Sequence, residues 1–83
     1  MKFDYNDTIE KIAIAEYKLE HIRLSKYEIE EIISDVKNWK MQCVLYVAQI
    51  EELSYPASLS MVEIDIYEYI YNNYQELRKV VKI

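Results

Sequence analysis

The chain has 83 residues, with 10 basic and 15 acidic side chains and a net charge of −5; that allows one small-cored domain and disfavours general binding to nucleic acid or anionic membrane. The absence of Gly removes the positive-φ positions that tight hairpins use, which argues against a multi-strand β architecture and for a few long helices. Cys43 is the single cysteine and cannot form an intramolecular disulfide, no apolar run approaches the ~18 residues of a membrane span, and MKFDYNDTIEK carries acids where a secretory signal needs an apolar run. The expectation is a reduced, cytoplasmic protein in which residues 1–83 form a single all-α domain, with three helices in an up-down-up arrangement.

The first helix is expected over residues 7–22, opened by the capping-box order Asp7-Thr8-Ile9-Glu10 and closed by Lys18, His21 and Arg23 near its C-terminal dipole. LSKYEIEE, Leu24 to Glu31, announces the second: Ser25 is the N-cap, Glu28 completes the box, and Leu24 and Ile29 form a hydrophobic staple. This helix meets no breaker before Ser54-Tyr55-Pro56 and is expected over 26–53, with Ile29, Ile32, Val36, Trp39, Cys43, Tyr46, Ile50 and Leu53 in a 3,4 alternation along one seam. LSMVEIDI, Leu59 to Ile66, repeats the capping signature with Ser60 and Glu63, so the third helix is expected over 61–80. VEIDIYEYIY also alternates like a strand, and the capping box decides for helix; Asn72-Asn73 is a place where that helix can turn or fray.

MQCVLYVA, Met41 to Ala48, is apolar almost all round the second helix. Cys43 and Tyr46 lie on the seam, while Met41, Val44 and Ala48 point ~200° away at 100° per residue, and Leu45 bridges the two faces. The first helix is expected to cover the N-terminal half of the second and the third its C-terminal half. The opposite face is then covered either by the third helix or by a second chain, and a homodimer through Met41, Val44, Leu45 and Ala48 is the expectation, with Ala48 permitting close approach and Met41 adapting to an imperfect surface.

Tyr67, Tyr71 and Tyr74 share a face at 4,3 spacing beside Glu63 and Glu68, and aromatic surface with a polar tip is what protein interfaces use as anchors. The bland alternative is that these tyrosines flank the core with their hydroxyls in water. Arg78, Lys79 and Lys82 form a small basic end that offers an alternative nucleic-acid contact. The acids Glu28, Glu30, Glu31 and Asp35 suit the dipole at the start of the second helix. His21 reads as a surface histidine and Cys43 as an inert core thiol, with no metal-ligand spacing, no cofactor motif and no catalytic constellation.

No Gly, one Pro, 12 Ile, 9 Tyr and 11 Glu, with 30% charged residues, resemble the composition of small helical proteins of viruses that infect hyperthermophilic archaea. The resemblance is one of composition and covers no motif; an AT-rich genome gives much of the same picture. It implies a thermophilic viral source and a place in the host cytoplasm. The expected function is that of a non-enzymatic interaction protein that binds another protein, such as a viral accessory protein or inhibitor. The alternative is a DNA-associated or transcriptional regulatory protein.

Overall fold

The structure, a computed structural model, describes residues 2–80, and they form four helices: α1 (Tyr5–His21), α2 (Lys26–Glu51), α3 (Tyr55–Asn72) and α4 (Tyr74–Val80). No strand occurs among the described residues, and VEIDIYEYIY is helical throughout. Val81 and Lys82 lie outside the described residues.

Each helix start follows from a side chain that accepts an otherwise unpartnered N–H. Ser25 and Glu28 close the expected capping box, each side chain accepting the other's backbone N–H at 3.2 Å. The Ser25 N–H bond to its carboxylate holds Glu28 below the usual carboxylate range. α1 opens earlier than expected. Asp4, not Asp7, is its N-cap and accepts from the Asp7 N–H at 3.0 Å, which leaves Asp7 in the first turn, where its charge favours the helix dipole. The extra residues bring Tyr5 into the helix, and its ring stacks on Tyr46 of α2 at 5.5 Å.

α3 also opens earlier, and here the sequence reading needs correction. Ser54-Tyr55-Pro56 is not only the end of α2 but the beginning of the next helix: Ser54 is the N-cap, and Pro56 sits in the first turn, where its missing N–H has no intrahelical partner to lose. Ser60 and Glu63 therefore lie within a helix and cap nothing. At the other end Asn73 stops α3, its backbone N–H and side-chain Nδ2 both donating to the Tyr69 carbonyl, at 3.0 and 2.9 Å. The expected third helix is thus two, and Tyr74, Leu77 and Arg78 belong to α4. α2 ends at Glu52 in the left-handed region at φ 54°, a position that favours glycine and that this glycine-free chain fills with a carboxylate-bearing residue.

Contacts set the helix directions. Phe3 and Tyr5 meet Tyr46, whereas Glu16 meets Lys40 at 2.9 Å, so α1 and α2 run antiparallel. Tyr5 donates to Asp65 and Tyr69 donates to Glu10 at 2.7 Å, so α1 and α3 run parallel. At ~1.5 Å per residue the 26 residues of α2 span ~39 Å, matching the 41 Å long axis of the molecule. The core joins Ile9, Ile12 and Ala13 of α1, Val36, Cys43, Val44 and Val47 of α2, and Val62 and Ile66 of α3. A second small cluster pairs Tyr17 with Leu77 and ties α4 to α1. α1 packs along α2 from Tyr46 back to Ile32 and Val36, beside which Ile14, Ala15 and Leu19 lie, and it leaves the first turns of α2, Lys26 to Glu31, exposed.

The cap assignments make a direct test. Ser25→Ala and Ser54→Ala should each lower unfolding stability by about 1 kcal/mol, while Ser60→Ala stays within about 0.5 kcal/mol, measured by urea denaturation. A loss at Ser60 as large as that at Ser54 would place the start of α3 at residue 61.

Candidate functional site

The nine tyrosines divide into those the fold uses and those it leaves outside. Tyr5 and Tyr69 each donate to a carboxylate on a neighbouring helix, and Tyr17 is buried with its ring stacked on His21 at 3.9 Å and edge-on to Tyr74 at 6.2 Å. Burial and the bond to Asp65 raise the Tyr5 phenol well above its ordinary value, and the bond to Glu10 pushes Tyr69 up to about 12. Burial also raises Tyr17. Tyr67 and Tyr71, by contrast, are 66% and 85% exposed.

Of the expected partner-binding residues, the structure brings Tyr67, Tyr71 and Glu68 to the outer face of α3, with Glu63 half-buried at its edge. Tyr74 separates from them. It lies beyond the Asn73 break on α4, and the Arg78 guanidinium sits 5.8 Å over its ring. The sequence reading missed two members of the outer face: Ile64 and Met61 are exposed in the same row. Steps of three and four residues from Met61 through Ile64 and Tyr67 to Tyr71 are the signal that finds them.

Charge distinguishes this face. Between Lys40 and Arg78 the sequence has no basic residue and six carboxylates, Glu51, Glu52, Glu63, Asp65, Glu68 and Glu76. Asp65 accepts from Tyr5, so Glu63 and Glu68 are the carboxylates beside the apolar row. Within α3 itself the charges beside the row are acidic only.

The expected dimer patch divides. Val44 is fully buried in the chain's own core and Ala48 is half-buried, whereas Met41 and Leu45 are 48% and 58% exposed. Val44 is thus no surface residue: α1 and α3 both close on the valine row of α2 and take it inward. On the expected seam Val36 and Cys43 are buried, but Tyr46 is only partly covered, by the rings of Phe3 and Tyr5, and Ile50 is exposed.

At the basic end, Lys79 lies 3.7 Å from Glu76 and Arg78 packs over Tyr74; Lys82 lies outside the described residues. The Cys43 thiol is buried and desolvation pushes it up to about 11, so thiolate is scarce at neutral pH. His21 Nδ1 lies 3.0 Å from the Tyr17 carbonyl, which makes it the protonated ring nitrogen. No group of three or more metal-ligating side chains converges among the described residues, and no helix among them is long and apolar enough to cross a membrane. The chain matches no protein-family model, no curated protein and no solved structure.

The raised phenols give the two α1–α3 bonds a pH signature. A tyrosine titrating higher folded than unfolded contributes stability that is complete below about pH 10 and is lost as pH rises, for Tyr69 through about 12. The urea midpoint should fall over that interval, and less steeply in the Tyr5→Phe/Tyr69→Phe variant. Parallel pH profiles for the two proteins would contradict the assignment.

Proposed function

We propose that the protein is a small cytoplasmic interaction module that binds another protein through the outer face of α3, and that its partner presents an apolar surface bordered by basic side chains. The observation that carries this reading is the exposed row Ile64, Tyr67 and Tyr71 on a helix without a single basic residue. Tyrosine rings offer large contact area for little lost side-chain freedom, and their hydroxyls tolerate water until a partner arrives. The acids Glu63 and Glu68 make the face repel a second copy of itself and attract Arg or Lys at the rim of a different protein. Such a part suits a viral accessory protein or inhibitor, whose work is to occupy a surface of a host protein rather than to catalyse a reaction.

The nucleic-acid alternative draws on Arg78 and Lys79, and the structure lends it less support. Lys79 has a carboxylate neighbour, Arg78 is occupied by an aromatic ring, and the six carboxylates upstream repel phosphate.

The test begins with a partner recovered from the source cell on immobilised protein and continues with calorimetric titration of that purified partner. Tyr67→Ala/Tyr71→Ala should weaken binding at least about tenfold with helix content unchanged, and Arg78→Ala/Lys79→Ala should change it less than about twofold. Unaltered affinity in the tyrosine variant overturns the reading. Affinity that depends on Arg78 and Lys79 and collapses with added salt supports the nucleic-acid alternative instead.

A further inference from the structure

The outer side of α2 carries a second apolar row, and its charges are arranged differently from those of α3. Ile33, Met41 and Leu45 are each about half exposed, and Lys37 lies between them on the same side of the helix. The row continues, in steps of three and four residues, to Lys26 and Glu30 at one end and to Ala48 at the other, with the C-cap residue Glu52 one turn beyond it.

We propose that a second copy of this chain docks on that row, α2 against α2 in antiparallel orientation, with the two-fold axis passing level with residue 39. The order of residues selects this register. About residue 39, Ile33 falls opposite Leu45 of the copy and Lys37 opposite Met41, so the four apolar side chains pair and the aliphatic stem of Lys37 lies along a thioether while its ammonium reaches water. At the ends Lys26 falls opposite Glu52, twice by symmetry, and Glu30 meets the small, half-buried Ala48. A parallel pairing brings Lys26, Glu30, Lys37 and Glu52 each against its own copy, with like charges at all four positions. Opposite charge at the two ends thus fits the row to itself in one direction only. The acidic row of α3 lacks this property. Self-association through α2 is independent of what α3 binds, and it moves the interface away from Val44, which the chain's own core already occupies.

Ile33 and Leu45 are exposed, so cysteine at either position leaves the core intact, and buried Cys43 stays out of the reaction. In the proposed register position 33 and its own copy lie about 18 Å apart along the axis, beyond the reach of a disulfide, whereas positions 33 and 45 are opposite. Oxidation of Ile33→Cys protein mixed with Leu45→Cys protein should give a cross-linked heterodimer, and each variant alone should give none. Self-cross-linking of either variant, or absence of the mixed product, overturns the register. Charge exchange tests the ends separately: Lys26→Glu and Glu52→Lys should each weaken the dimer roughly fivefold and the double variant should restore it. Both single changes favour the dipole of α2, so unfolding does not explain a loss. A wild-type protein that sediments as a monomer at about 0.5 mM overturns the proposal altogether.

Discussion

Two shorter helices close on one broad face of small side chains. Val36, Cys43, Val44 and Val47 of α2 face Ile9, Ile12 and Ala13 of α1 together with Val62 and Ile66 of α3, and these residues form the larger of the two buried clusters. Valine and cysteine are small enough for both neighbours to approach α2 from adjacent sides. The Tyr5–Asp65 and Tyr69–Glu10 bonds then fix α1 against α3, and Lys40–Glu16 fixes α1 against α2. Because both neighbours are spent on the same side, the opposite side of α2 has no helix packed over it among the described residues. A helix of 26 residues beside helices of 17 and 18 leaves its first turns bare as well.

The all-helical class was legible because it rests on local chemistry that needs no tertiary partner. A glycine-free chain has few hairpins available, and the Ser25–Glu28 box fixed the start of α2 to the residue. The misplacements are equally local in origin. Asp4 and Asp7 both suit an N-cap, and the ring of Tyr5 against Tyr46 favours the earlier one, a contact between residues 41 positions apart that no cap pattern encodes. Ser54 and Ser60 compete in the same way, and proline in a first turn reads as a breaker unless the serine ahead of it is seen as a cap. Asn73 was visible as a weak point, but only its double use of the Tyr69 carbonyl shows that the helix ends there.

The candidate faces were legible in part, for a geometric reason. A 200° offset marked Met41, Val44 and Ala48 as opposite the seam, yet the buried surface of α2 spans both adjacent rows and draws Val44 inward. Tyr67 and Tyr71 were found because aromatic residues at helical spacing are conspicuous, and Tyr74 was miscounted because the periodicity was carried across the Asn73 break. What the spacing alone did not reveal is the division of charge. The outer row of α2 ends in opposite charges, while the charges of α3 beside its own outer row are carboxylates alone. In the proposed assembly these two similar apolar rows take different partners, α2 a second copy and α3 a different protein.

Each row contains one methionine, which allows both to be read in a single experiment. Met41 lies on α2 and Met61 on α3, and both are exposed in the isolated chain. Mild peroxide oxidation followed by peptide mass spectrometry should show Met41 becoming protected as protein concentration rises through the dimerisation range, while Met61 stays reactive throughout. Protection of Met61 with concentration, or unchanged reactivity at Met41, would contradict the assignment of α2 to the second copy and of α3 to a different protein.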